Sequence, residues 1–147
     1  MAPLALTTGE PAGIGPEIAL AAAMACDLPV TLIGDEALLA ERAQQTGLPW
    51  PPPAHVSLES VALAVPAVPG QLDARNASYV LALLDRSIAG CRAGEFAAMV
   101  TAPIQKSVIA DTGIAFSGHT EYLAEHTGTP HVVMLLSAEE LDPPLRV

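Results

Sequence analysis

The sequence holds a single lysine, Lys106, among only six basic residues, against sixteen acidic ones, for a formal charge of -10. No basic stripe can neutralise a phosphate backbone, which argues against nucleic acid and anionic membrane surfaces as partners. A small anion stays possible, because backbone N–H groups at a helix start hold a phosphate whatever the global sign. Cysteine is equally scarce: Cys26 and Cys91 lie far apart and outside any C-x-x-C pattern. That argues against a disulfide framework or a thiolate zinc site and favours buried free thiols. Aromatics make up 3% of the chain, so the core must be built from Leu, Val, Ile and Ala, and thin side chains imply closely packed elements. The longest apolar runs, 18–26 and 61–68, fall far short of the ~18 residues of a membrane span, and the first residues carry no positive n-region. The expectation is a soluble protein of a reducing compartment.

What is present is the length for one domain, 147 residues and 15.1 kDa, and an alternation of strand and helix signals. Leu4 to Thr8 is a short apolar run closed by Gly9. A Gly/Pro-rich turn follows, then Pro16-Glu17-Ile18 with Pro suited to the first helical position and Glu to the positive helix start. Val30 to Ile33 predicts a second strand, and Glu36 to Gln45 a helix with Leu38, Leu39 and Arg42 at helical spacing and Gly47 past its end. Four prolines in 49–53 predict an extended connection carrying Trp50. Val56 to Val65 is β-compatible. Asp73 or Asn76 could cap a helix whose apolar set is Tyr79, Val80, Leu83, Leu84 and Ile88. Phe96 to Thr101 reads as a strand covered on both faces, 104–110 and 119–127 as short helices, and His131 to Ser137 as another buried strand. A new strand begins at Leu145. The expected fold class is α/β, one layered unit over 1–147 with a mostly parallel sheet and helices on both faces.

Three segments could carry chemistry. The loop from Thr8 to Glu17 lies between a strand and a helix, where ligands of open α/β sheets bind, but it lacks the third glycine of the dinucleotide pattern and Pro16 removes an N–H. A ligand loop and a tight turn both remain open for it. Thr101 to Ser107 brings Lys106 toward the C-terminal edge of the sheet, either as an anion ligand or as a solvated helix residue. Phe116 to Glu121 sets His119 and Thr120 at a helix start, where a ligand contact and a capping role compete. His119 and His126 are seven apart, about two helical turns or roughly 10 Å, too far for one metal ion to bridge, so no metal ligand is assigned.

Together, Thr8-Gly9-Glu10-Pro11-Ala12-Gly13-Ile14-Gly15-Pro16-Glu17, Gly94-Glu95-Phe96, Thr101-Ala102-Pro103-Ile104-Gln105-Lys106 and Phe116-Ser117-Gly118-His119-Thr120-Glu121 resemble the 4-hydroxythreonine-4-phosphate dehydrogenase family, four blocks in the family's order over essentially the whole chain. Gly13-Ile14-Gly15-Pro16-Glu17 is similar also to the wider isocitrate and isopropylmalate dehydrogenase group, whose fold the chain would share. The resemblance implies NAD-dependent oxidation of the C3 hydroxyl of 4-phosphohydroxy-L-threonine. The 3-oxo product then loses carbon dioxide to give 3-amino-2-oxopropyl phosphate, a step of vitamin B6 (pyridoxal phosphate) biosynthesis. It further implies cytoplasmic homodimers, with a divalent metal (zinc, magnesium or cobalt) polarising the substrate oxygens in a cleft between two lobes that the partner subunit completes.

By the same resemblance His119 and Thr120 bind substrate, Lys106 is a weaker candidate for its phosphate or oxygens, and Gly9, Glu10, Gly13 and Gly15 shape the cleft near the dinucleotide. The family's metal-ligating histidines and the later lysine, asparagine and arginine of its substrate site fall beyond Val147. No catalytic residue is assigned within these residues. The expectation is the N-terminal portion of a larger two-lobed dehydrogenase, inactive alone. Two alternatives stand beside it: a related dehydrogenase of another phosphorylated hydroxy acid, such as D-threonate 4-phosphate, and a catalytically incomplete binding or assembly fragment.

Overall fold

The computed structural model describes residues 1–147, which divide into two compact units, 1–116 and 117–147. In the first unit four strands, β1 (Leu4–Thr7), β2 (Val30–Gly34), β3 (Val56–Ser60) and β4 (Ala98–Thr101), pair parallel in the order β3-β2-β1-β4. The register sets Leu6 beside Leu32 and Val100, and Ala5 beside Thr31 and Met99. Successive side chains of a strand point to opposite faces, and the core divides accordingly. On one face Leu6, Val30, Leu32 and Val56 meet Ala19, Leu20 and Ala23 of α1 (Gly15–Ala25) and Ala43 of α2 (Glu36–Thr46). On the other, Ala5 and Ile33 meet Tyr79, Val80 and Leu83 of α3 (Ala77–Ala93) and Ile109 of α4 (Lys106–Ala110). The expected α/β layering, a parallel sheet with helices on both faces, is what forms.

The helix boundaries follow their caps. Asp35 accepts from Leu38 N at 2.8 Å to open α2, and Gly47, at φ 73°, closes it. Asp73 opens a single 3-10 turn, Ala74–Asn76, by accepting from Arg75 N. Asn76 stands at the start of α3 but turns its side chain away from the helix. Its Oδ1 accepts from Ala64 N and Val65 N, and its Nδ2 donates to Val65 O. That amide holds the extended segment after β3, so the β-compatible stretch to Val65 is strand only as far as Ser60.

Two strand expectations need correction. β4 is not covered on both faces: Ala98 and Val100 are exposed, because β4 lies at the sheet's edge and a groove of about 210 Å³ separates Val100 and Ala102 from Ile18 and Ala22 of α1. An apolar run cannot report whether a covering layer exists within the same unit. In the second unit, α5 (His119–Thr127) ends at Gly128, φ 66°. The run after it is not the buried strand expected at 131–137. Only Ser137 enters a strand, β5 (Ser137–Ala138), paired antiparallel with β6 (Leu145–Arg146), while Val133 is 90% exposed. A two-residue ribbon has no face wide enough to bury five apolar side chains.

Candidate functional site

In an open parallel sheet, ligands seat outside the carboxyl ends of the strands, where neighbouring connections leave in opposite directions. Here that point lies between β1 and β4, since β1 leads into α1 and on to β2 at one side while β4 arrives from α3 at the other. The loop from Thr8 to Ile14 occupies it. Gly9 adopts φ 66°, and a Cβ on it would stand 2.3 Å from Pro103 O, so only glycine lets the two connections touch. Glu10 N then donates to Pro103 O at 2.9 Å, and Ala102 N to Thr7 O at 3.2 Å. The first and third sequence blocks are thereby joined at one sheet edge. Gly15 is constrained from the other side, its Cβ position lying 2.2 Å from Thr8 O. α1 begins there with no side-chain cap, and the N–H groups of Gly15 and Glu17 precede the intrahelical ladder.

A hydrogen-bond chain fixes the strand ends beneath this loop. Thr8 Oγ1 donates to Ile33 O at 3.3 Å and lies 2.7 Å from the Tyr79 hydroxyl, which accepts from Asp35 N at 3.2 Å. Burial pushes the Tyr79 phenol above its ordinary range, with the Thr8 contact opposing it. The Asp35 carboxylate bonds Leu38 N and Leu63 N and borders a crevice of about 300 Å³ between α2 and the segment 63–67. Sequence reasoning missed Thr8, Asp35 and Tyr79 as a set, because Tyr79 counted only as an apolar helix position. Arg42 is a second case. It is fully buried among the apolar residues of α2, 3.5 Å from Glu17 and 2.9 Å from Gln45 Oε1, and it ties α2 to the first turn of α1.

Of the residues singled out in the sequence, Gly9, Glu10 and Gly13 share the one loop, and Gly15 opens the helix that follows it. Lys106 opens the five-residue α4 and is exposed. His119 and Thr120 are the first two residues of α5 in the second unit, both half-buried. Thr120 also borders a broad concavity lined by Glu121, Ala124, Gly128, Thr129 and Val132. Tyr122 stacks on His126 at 3.9 Å. No group of three or more His, Cys, Asp or Glu side chains is placed to hold a metal ion, and no helix is long and apolar enough to cross a membrane.

The family described as "Pyridoxal phosphate biosynthetic protein PdxA" matches residues 14–146. The chain belongs to the PdxA family. Among the PdxA relatives, the 4-hydroxythreonine-4-phosphate dehydrogenase of Aromatoleum aromaticum is 55% identical over 142 residues, which is 90% of this chain and 43% of that protein. The corresponding protein of Azoarcus sp. is 52% identical over 145 residues, 90% of this chain and 44% of its own. The crystal structure of 4-hydroxythreonine-4-phosphate dehydrogenase from Klebsiella pneumoniae superposes with a TM-score of 0.84 at 29% identity, over 95% of this chain and 48% of that one. A terephthalate 1,2-cis-dihydrodiol dehydrogenase from Burkholderia xenovorans shares the fold at a TM-score of 0.70 and 32% identity, over 88% of this chain and 41% of its own. The chain thus spans less than half the length of these PdxA relatives.

Proposed function

We propose that this chain is the N-terminal, ligand-binding portion of a dehydrogenase that oxidises the C3 hydroxyl of 4-phosphohydroxy-L-threonine with NAD. The 3-oxo acid so formed decarboxylates to 3-amino-2-oxopropyl phosphate. The observation that carries this reading is the 55% identity over 90% of the chain to a protein named for that substrate. The same reading makes the family-length protein a cytoplasmic homodimer.

The residues present fit a dinucleotide on one count: the Gly9–Glu17 loop sits at the point where the strand connections diverge, with glycine where close approach requires it. A bound NAD would supply the hydride acceptor for oxidation at C3. Gly9, Glu10, Gly13 and Gly15 would line its seat, and the N–H groups at the start of α1 favour a phosphate there. His119 and Thr120, at the open end of α5, would orient the substrate through imidazole, hydroxyl and first-turn N–H groups. Lys106, exposed at the start of α4, is free to approach a phosphate oxygen. The side chains present do not fit a divalent metal, so a Lewis acid in this reaction needs ligands from beyond these residues.

The dihydrodiol dehydrogenase likeness favours one competing reading, a family member acting on another hydroxy acid such as D-threonate 4-phosphate. Comparing kcat/KM of the family-length protein for the two phosphorylated substrates decides. Preference for 4-phosphohydroxy-L-threonine by tenfold or more supports the proposal, and the reverse preference replaces it.

A further inference from the structure

Arg42 is the one arginine or lysine that the fold removes from water entirely. Its Nη1 donates to Gln45 Oε1 at 2.9 Å, and the Gln45 amide donates in turn to Glu41 Oε1 at 2.8 Å on the exposed face of α2. Its Nε lies 3.5 Å from Glu17 Oε1, the one carboxylate within ion-pair reach, while neither Nε nor Nη2 has a hydrogen-bond partner. A guanidinium keeps its proton inside a protein, so the charge stays and a buried one needs an anion beside it. α2 supplies none in contact. The anion comes from α1.

Glu17 stands where its charge has consequences. It is the third residue of α1, in the first turn. Ile18 N donates to Ile14 O and Pro16 has no N–H, which leaves the N–H groups of Gly15 and Glu17 outside the helical ladder. A free acid in that turn takes the favourable field of the helix start for itself and repels any other anion brought there. Yet the Glu17 side chain is only 28% exposed and is drawn against α2 by Arg42. We propose that Arg42 is a positioning residue of the cofactor seat: it holds and neutralises the Glu17 carboxylate, so that the start of α1 keeps its attraction for an anionic group of the ligand. The inference rests on the reading of this loop as a dinucleotide seat and adds to it the group that keeps the seat receptive. Glu10, the loop's other acid, accepts from Ala12 N and is the same in every variant compared below.

The test measures the NAD dissociation constant of a protein of family length, at low and high salt, for the wild type, Arg42→Met, Glu17→Gln and the double variant. Methionine keeps much of the arginine stem without its charge. Arg42→Met leaves the Glu17 charge unbalanced and should weaken NAD binding by about three- to tenfold, the size of a charge effect at a helix end, and by less at high salt. Glu17→Gln removes the repelling charge and should tighten binding at low salt. The double variant should return to within about twofold of the wild type, although the contact itself is gone, because no net charge is left at the pair. It buries no ion, so it carries the test even where a single variant does not fold. A role confined to packing α2 on α1 gives a different pattern, with Glu17→Gln and the double variant weakened as much as Arg42→Met. That pattern, an Arg42→Met protein that binds as the wild type does, or a double variant that does not fold would each overturn the proposal. A wild type that binds no NAD would overturn the cofactor reading and the role of Arg42 with it, whereas the wrong pattern on a wild type that binds overturns the role alone.

Discussion

The Tyr79 hydroxyl lies 2.7 Å from Thr8 Oγ1, linking the first turn of the first unit's longest helix to the residue at which β1 becomes the glycine loop. With Asp35 N donating to the same phenol, the ends of β1 and β2 are pinned by one side chain of α3. Tyr79→Phe should cost about 1–2 kcal/mol, the usual loss when a buried hydrogen-bonding group is left without its partner. Thr8→Val should interact with it in a double-mutant cycle by roughly 0.5–1 kcal/mol. Urea unfolding of the two single variants and the double variant reads both quantities, and strict additivity would show that the contact is incidental.

Gly9→Ala should be far worse than Gly47→Ala, although both glycines have positive φ. At Gly9 the added carbon would meet Pro103 O at 2.3 Å, whereas at Gly47 nothing lies within 4 Å. Backbone strain alone accounts for about 1 kcal/mol at Gly47, and the clash should raise the loss at Gly9 above about 2 kcal/mol. Equal unfolding midpoints for the two variants would mean that the loop after β1 and the segment after β4 do not touch.

The element order was legible because it rests on local signals. Asp35 and Gly47 bracket α2, and Tyr79, Val80, Leu83, Leu84 and Ile88 repeat on one face of α3, all of them buried. What escaped the sequence depends on neighbours far along the chain. Val100 and Val133 look like core residues, yet both are exposed, since burial is decided by a facing layer and not by hydrophobicity. Asn76 looks like a helix cap, yet its amide serves Ala64 and Val65. In the site, the glycines were readable as a ligand loop or a tight turn, and the close approaches at Gly9 and Gly15 came only with the fold. Glu10 was placed near the dinucleotide by resemblance alone, and the lack of a hydrogen-bond partner for its Oε2 is a property of the folded surroundings that no sequence signal carries.

In a protein of family length, His119→Ala should lower substrate binding or turnover by about 10- to 100-fold, the equivalent of roughly 1–3 kcal/mol for an unpaired ligand contact. Thr120→Val should act in the same direction more mildly. Steady-state kinetics of the two variants, with folding checked by circular dichroism, are the measurement. Wild-type kinetics in a folded His119→Ala protein would remove that residue from the substrate site.

Dialysis of the chain against neutral buffer, followed by metal analysis, should show no tightly held divalent ion, since no three ligating side chains converge within it. Stoichiometric zinc retained after dialysis would reveal a ligand set assembled between copies of the chain.

The most direct test of the account is NADH formation from 4-phosphohydroxy-L-threonine by the 147-residue chain beside a protein of family length, with NAD and zinc or magnesium supplied to both. Transition-state stabilisation requires the positioned substrate, the cofactor and the remaining catalytic groups in one preorganised site. The longer protein should turn over and the 147 residues should produce no NADH, even where they bind substrate or NAD weakly. Turnover by the short chain within tenfold of the longer protein would contradict the account and place the whole catalytic apparatus between Met1 and Val147.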